Sequence, residues 1–358
     1  MKKFLFISNG HGEDLVAAEM IKKLEGRVEM SVLPVVGEGK AFNGLKVNIL
    51  GPRKELPSGG FSLRNIKYLA SDLFYGLLGN TVNQVKILRK YKGKFDQVIA
   101  VGDIVSMIGA KMVKSPFVFV GVNKSSYYKS FGHDYTPWEK FLLKDHALKV
   151  FVRDKFSEQR LRTHGIKIPQ AVYVGNPLMD CIGNTVVRSA GKSNTVTIGF
   201  LPGTREDARL NLEDFKEIIE EIIKMNREEI EFKFLVATKE KNVPIYMENR
   251  PFAEVLAESD LIVGLSGTGN EQAAGSGIPI VSFYGRGSQY TKKFGEAQKQ
   301  LLGESLSLVR NQDPIPVAAE VWELLHNPTR MKYMGKKGRE RMGSPGAVKK
   351  ISEFLLII

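Results

Sequence analysis

Two glycine-rich turns in the second half of the chain have the composition of an anion site. Within 260–281 an apolar run, Leu261-Ile262-Val263, breaks at Ser266-Gly267-Thr268-Gly269, and an Ala-rich helix follows from Asn270. Small residues at such a turn let backbone N–H groups approach a phosphate, and the helix N-terminus adds partial positive charge. Glu271, one turn into that helix, can accept hydrogen bonds from two ribose hydroxyls; without a ligand it reads as an acid complementing the helix dipole. The second turn, Pro202-Gly203-Thr204-Arg205, follows the run 195–201 and offers backbone donors, a hydroxyl and a guanidinium, a set suited to a diphosphate. Arg205 can equally form a surface ion pair with Glu206 or Asp207. Farther on, Arg286, Ser288, Gln289 and Thr291 lie on a turn loosened by Gly285 and Gly287, where each can hydrogen-bond a sugar.

The first half holds groups that move protons. Its opening strand runs into Ser8-Asn9-Gly10-His11-Gly12-Glu13-Asp14. Two glycines bracket His11, so its imidazole is expected to project from a loop, where it can take a proton from an attacking hydroxyl. The alternative is a turn histidine, with Asp14 or Asn9 capping the following helix. The run 98–101 ends at Gly102-Asp103, a carboxylate that either handles a substrate hydroxyl or caps the next helix. Five scattered histidines, one cysteine and no C-x-x-C or D-x-D leave no metal motif, so helix termini and Arg205 must neutralise a diphosphate. Cys181 reads as a small buried hydrophobe, and no disulfide framework is possible.

These residues need a scaffold that gathers strand ends. Apolar runs of strand length alternate with amphipathic stretches, the pattern of parallel sheets with helices on both faces. The first half predicts strands near 4–8, 29–35, 47–50, 97–101, 117–120, 149–152 and 171–174, with helices near 12–25, 63–91, 103–113 and 155–163. The second predicts strands near 195–201, 231–236, 260–264, 279–283 and 306–309. Its helices are expected near 211–226, 251–257, 270–276, 292–301, 314–325 and 328–341. The expected organisation is an α/β Rossmann-like domain over 1–182, a polar linker over 183–194 and a second Rossmann-like domain over 195–344. A final helix in 345–358, apolar at Val348, Ile351, Phe354, Leu355 and Ile358, is predicted to cross back onto the first domain. Two such units facing one another would put a cleft at the carboxyl ends of both sheets, where every glycine-rich turn falls.

Composition narrows the partners. With 43% hydrophobic and 25% charged residues in 358, the chain is of ordinary globular composition. A net charge of +13 points to a phosphate-bearing substrate or an anionic membrane surface. Nucleic acid is disfavoured, since no RNP motif, zinc finger or aromatic-interleaved basic stripe occurs. The run Phe4-Leu5-Phe6-Ile7 is too short for a signal peptide and no window spans a membrane, so a cytoplasmic location is expected. The region 57–94 mixes Phe61, Leu63, Ile66, Leu69, Phe74 and Tyr75 with Arg64 and Lys67, ahead of Lys86, Arg89, Lys90, Lys92 and Lys94. It reads as an interfacial surface for anionic lipid or as a core-facing helix.

Taken together, the motifs resemble the lipid-A-disaccharide synthase family, and more closely its lipid-A-disaccharide-synthase-like relatives. The resemblance runs through 8–14, Gly102-Asp103, 173–180 (YVGNPLMD), 201–205 (LPGTR), 265–279 and 294–303 (FGEAQKQLLG). It implies an inverting, metal-independent glycosyltransferase of the two-Rossmann, GT-B type. Such an enzyme moves a hexose or N-acetylhexosamine from a UDP-sugar, with no further cofactor, to a lipid or lipid-linked acceptor. It would sit on the inner face of the cytoplasmic membrane, with a homodimer left open. In that light Glu271 holds the ribose, while Gly203, Thr204, Arg205, Ser266, Gly267, Thr268, Gly269, Asn270 and Gln289 surround the rest of the donor. Asp103 matches an acid implicated in the synthase's catalysis, and His11 matches a loop histidine that other two-Rossmann transferases use as base. Asn9, Gly10, Gly12 and Glu13 fall on the acceptor side. The synthase's usual Gly-Glu-x-Ser-Gly-Asp is here Asn9-Gly10-His11-Gly12-Glu13-Asp14, and Asn176 replaces the His expected before Pro177. Both departures count against lipid A itself as product. The competing expectations are a UDP-sugar 2-epimerase of the same architecture and a non-catalytic nucleotide-sugar-binding protein at the membrane.

Overall fold

The apolar runs of the first half become strands buried on both faces, which is why they read as continuous rather than alternating. In the computed structural model, which describes residues 1–51, 77–129, 134–182, 195–203, 207–287 and 290–358, the chain divides into two compact units. The first comprises Met1–Cys181 with Pro345–Ile358, the second Ile182–Ser344.

In the first unit, β1 (Lys3–Ser8), β2 (Glu29–Pro34), β3 (Asn48–Ile49), β4 (Gln97–Gly102), β5 (Phe117–Gly121), β6 (Ala147–Phe151) and β7 (Ala171–Val172) form one sheet. All pairs are parallel, in the order β3-β2-β1-β4-β5-β6-β7. Its helices are α1 (His11–Leu24), α2 (Leu77–Lys90), α3 (Ile104–Val113), α4 (Pro137–His146) and α5 (Lys155–Thr163). Leu5, Ile7, Val98, Ala100, Phe117 and Phe119 of the sheet pack with Met107, Val113, Leu143 and Leu161 of the helices. The C-terminal helix, Ala347–Ile357, belongs here too: it packs on α1, and Phe354 meets Phe151 edge-on at 5.4 Å. Asp180 holds its start, accepting from the N–H groups of Gly346 at 2.6 Å and Val348 at 3.0 Å.

The second unit repeats the design with β8 (Thr195–Leu201), β9 (Glu231–Val236), β10 (Met247–Asn249), β11 (Leu261–Gly264), β12 (Ile280–Phe283) and β13 (Leu306–Val309). Their order is β10-β9-β8-β11-β12-β13, again parallel. The helices are α6 (Ala208–Met225), α7 (Phe252–Glu258), α8 (Thr268–Gly275), α9 (Lys292–Leu302), α10 (Pro314–Leu325) and α11 (Pro328–Met342). Helix α6 shows why these segments fold: Leu212, Phe215, Ile218, Ile219 and Ile222 form one buried stripe, each contributing about 1.5–3 kcal/mol by leaving water.

In both sheets the order reverses beside the first strand, between β1 and β4 and between β8 and β11. Connections depart to opposite sides there, so the turns after those strands border a crevice, the usual ligand position in open α/β sheets. Two elements were not expected from sequence. Helix α4 starts at a capping box: Thr136 Oγ1 accepts from the Glu139 N–H, Glu139 Oε2 accepts from the Thr136 N–H at 2.7 Å, and Pro137 opens the helix. The signal Thr-Pro-x-Glu was in the sequence. Strand β10 is three residues at a sheet edge, too short for a pattern. Of the helix expected over 63–91, 77–90 is helical; its earlier part and the 183–194 linker lie outside the described residues.

Candidate active site

Asn9 and Gly10 alone connect β1 to α1, so the turn is tight and its polar groups reach across to β4. Asn9 does not cap α1. Its amide donates to both Asp103 carboxylate oxygens at 3.0 Å. Asp103 in turn accepts from the Val105 N–H at 2.9 Å, so it caps α3, and it lies half-buried at the end of β4. Asp14 does not cap α1 either; it accepts from the Ser8 hydroxyl. His11 corrects a detail of the sequence reading. It is the first residue of α1 rather than a loop residue, because Asn9 and Gly10 suffice for the turn, and it is exposed there. Gly12 follows it, half-buried in the same first turn.

Glu13 lies beneath this turn, 3% exposed. It is wedged between Gly10 (φ +143°) and Gly102 (φ +121°), and a Cβ at either glycine would come within 2.8 Å of its side chain. Both positions therefore need glycine, for backbone angle and for space. The Asn123 amide donates to Glu13 Oε1. Burial, reinforced by the nearby Asp103 and Asp14, pushes the Glu13 carboxyl up to about 8. Burial likewise lifts Asp14 to about 7 against the Ser8 hydrogen bond. Asp103 also rises through burial, opposed by the Val105 N–H, by Asn9 and by the charge of Lys124. Desolvation thus outweighs the helix N-terminus, worth only about 0.3–1 kcal/mol to a carboxylate there.

Sequence reasoning did not single out the supporting layer. Lys124 and Glu139, 7% and 1% exposed in their side chains, pair at 2.8 Å. Asp154 caps α5 through the Ser157 N–H at 2.7 Å and accepts from Ser125 Oγ at 2.8 Å. Arg153 donates to the Val122 carbonyl at 2.8 Å. The turn Val122-Asn123-Lys124-Ser125-Ser126, polar directly after an apolar strand, was the available signal.

In the second unit β8 and β11 are neighbours, with Leu201 beside Gly264, so the two anion-type turns come together. Gly203 lies against the Leu265 carbonyl. Ser266 Oγ accepts from the Gly269 N–H at 3.2 Å, tightening the start of α8, where Gly267 is half-buried and Thr268 exposed. Asn270 is fully buried and donates to the Gly264 carbonyl at 3.2 Å. Ser282 donates to the same carbonyl at 2.7 Å. Both residues thereby fix the turn from below. Glu271 is buried at 7% exposure on the first turn of α8. Thr204, Arg205, Ser288 and Gln289 lie outside the described residues. Arg286, expected to face a sugar, is held by α6: its Nε meets Asp214 Oδ1 at 2.8 Å and its Nη2 meets Glu217. Asp214 is 3% exposed in its side chain, and a buried carboxylate needs that cation. Thr291 caps α9 by accepting from the Phe294 N–H. Among the described residues no group of three or more His, Cys, Asp and Glu is arranged to hold a metal ion. None of their helices is long and apolar enough to cross a membrane.

No protein-family model and no curated protein matches the chain. Solved structures do. The UDP co-structure of S. aureus MnaA is 16% identical, with a TM-score of 0.65 over 100% of this chain and 98% of that one. The UDP-GlcNAc 2-epimerase of Neisseria meningitidis bound to UDP-GlcNAc is 15% identical, with a TM-score of 0.62 over 99% and 100%. The calicheamicin glycosyltransferase CalG4 is 13% identical, with a TM-score of 0.67 over 99% and 98%. The fold is of the GT-B class. At these identities the likeness establishes that architecture, two Rossmann-like α/β units in one chain.

Proposed function

We propose that this chain is a UDP-sugar-dependent glycosyltransferase that moves a hexose or N-acetylhexosamine onto a lipid or lipid-linked acceptor, as the resemblance to lipid-A-disaccharide-synthase-like proteins implies. One observation carries the reading. The chemically equipped turns sit at the order reversal of each sheet: carboxylates and an imidazole at β1/β4, a glycine-rich helix start at β8/β11. The first set handles a proton and the second an anion, which are the two tasks of sugar transfer. The bound UDP and UDP-GlcNAc of structures sharing the fold support the choice of nucleotide. In the proposed reaction His11 or Asp103 takes the proton of the acceptor hydroxyl, whose oxygen bonds to the anomeric carbon. The bond from that carbon to the diphosphate breaks with inversion, and UDP leaves toward the α8 N-terminus and Arg205, while Glu271 holds its ribose. The protein would work at the inner face of the cytoplasmic membrane.

A second reading has its own support, because several structures sharing the fold are UDP-GlcNAc 2-epimerases. Calorimetry with UDP, UDP-GlcNAc, UDP-glucose, GDP and ADP, and Glu271→Ala as control, tests the shared premise. Selective uridine binding lost in the variant is expected; a folded protein that binds no nucleotide would overturn both readings. Incubation with UDP-GlcNAc in D2O then separates them. Deuterium at C2 without acceptor means epimerase, and UDP release only with a lipid acceptor means transferase.

A further inference from the structure

Helices α3 and α4 follow β4 and β5, and the sheet order β4-β5-β6 makes both crossovers run the same way. Right-handed crossovers in one direction place their helices on one face of the sheet, and α3 and α4 do pack together. Each runs back from the carboxyl end of its strand. Their first turns therefore share that end of the sheet with Asp103, which caps α3.

Those first turns are apolar and open to solvent. Val105 is 38% exposed, Ile108 46%, Trp138 70% and Phe141 49%. Within each helix the two residues are spaced i, i+3 and share a face. Single exposed apolar residues are ordinary, but four at the tips of two adjacent helices, led by a tryptophan, form a patch. Basic residues accompany them: Lys111 and Lys114 at the end of α3 and Lys144 on α4 stand behind, while Lys140 lies between Trp138 and Phe141 along its helix. None of these four forms an ion pair among the described residues. Helix α3 has no acidic residue, and Glu139 of α4 is buried against Lys124, leaving Asp145 as the exposed acid of that helix. At about 1.5 Å per residue, Lys111 and Lys114 lie roughly 5–9 Å along the axis behind Ile108. That matches the ~5–10 Å over which an interfacial segment passes from acyl chains to headgroups.

The geometry points to the α3–α4 tip as the surface that seats this chain on an anionic membrane, with Trp138, Phe141, Val105 and Ile108 in the interface and Lys111, Lys114 and Lys144 at phosphate level. Tryptophan favours that depth because its ring is apolar and its N–H stays wet. The lysines supply the charge complementarity, within a chain of net charge +13. The tip's purpose rests on the lipid-acceptor reading: it would bring a lipid-borne hydroxyl to the end of the sheet where Asp103 stands.

The chain has two tryptophans, Trp138 and Trp322, and Trp322 packs against Phe232 and His326 in the second unit. Trp322→Phe thus makes Trp138 the sole reporter. Titrated with phosphatidylcholine vesicles containing phosphatidylglycerol, its emission should shift to the blue and be quenched by brominated acyl chains. Vesicles of phosphatidylcholine alone should do neither. The complementary Trp138→Phe protein should show no shift. Trp138→Ala/Phe141→Ala and Lys140→Glu/Lys144→Glu should each lower the fraction sedimenting with anionic vesicles by about tenfold or more, with unchanged circular dichroism. Trp138 emission that ignores anionic vesicles overturns the proposal. So does light scattering that shows a dimer dissociated by Trp138→Ala/Phe141→Ala, which would assign the face to a second copy. Nucleotide binding is measured without vesicles, so failure there removes the donor reading alone, whereas UDP binding with Trp138 still in water removes the membrane surface alone.

Discussion

Glu13→Gln should make the protein more stable, by a margin that opens above about pH 4.5 and is largest at alkaline pH. In the folded chain the Glu13 carboxyl titrates near 8 instead of the ordinary 4.5, because burial strips its water and Asp103 and Asp14 add like charge. At about 1.4 kcal/mol per pH unit, that interval makes the ionised side chain roughly 5 kcal/mol less favourable folded than unfolded. The raised value means that the folded state binds the proton more tightly. Stability is therefore full below about 4.5, falls as pH climbs, and levels off once Glu13 has ionised above about 8. Asp14, pushed to about 7, adds an overlapping decline. Glutamine copies the shape of the protonated acid and can still accept from Asn123, but it cannot ionise. Urea unfolding of both proteins at steps from pH 4 to 9 should give stabilities within about 0.5 kcal/mol of each other at the acid end. At the alkaline end the variant should lead by roughly 3–5 kcal/mol. Parallel curves for the two proteins would refute the argument, as would a wild-type curve flat between pH 5 and 8.

Two further substitutions test the frame around each site. Gly264→Ala would drive a methyl group into the Asn270 side chain, which fixes the start of α8. Thermal unfolding should show a loss of about 1–3 kcal/mol, and calorimetry a weakened UDP affinity; unaltered affinity would separate the α8 turn from nucleotide binding. Lys124→Met would leave Glu139 charged and unpaired at 1% side-chain exposure. Denaturation should record a cost of about 3–5 kcal/mol at pH 7, and a cost under about 1 kcal/mol would show that the pair adds little.

The parallel strands were legible because burial on both faces writes unbroken apolar runs such as Phe4–Ile7 and Val98–Val101 into the sequence. The turns that end them were legible from glycine and polar residues at those ends. Which polar groups would meet was not. Asn9 and Asp103 are 94 residues apart and Asn123 and Glu13 are 110 apart; strand order joins them, and periodicity carries no strand order. The Arg286–Asp214 pair was hidden for the same reason, since its members are 72 residues apart and the fold brings them together. Helix α4 could have been found from its capping box, whereas β10 has too few residues to show a pattern.

The choice between His11 and Asp103 as base turns on where charge can settle. Glu13, Asp14 and Asp103 share one end of the sheet, and each carboxylate formed there makes the next harder to form. Asp103 is the member whose charge has the most support: two donors, the Asn9 amide and the Val105 N–H, converge on it, Lys124 lies close enough to favour its charge, and it is half-buried where Glu13 and Asp14 are buried. His11 stands exposed at the start of α1. Asp103→Asn is the discriminating change, because asparagine caps a helix as well as aspartate does and the fold should lose no more than about 0.5 kcal/mol. If Asp103 is the base, this variant should lose about 100-fold or more in turnover together with the acid limb of its pH–rate profile, while His11→Ala keeps both. A profile whose acid limb persists in Asp103→Asn and disappears in His11→Ala would assign the proton to the imidazole and leave Asp103 as the cap of α3.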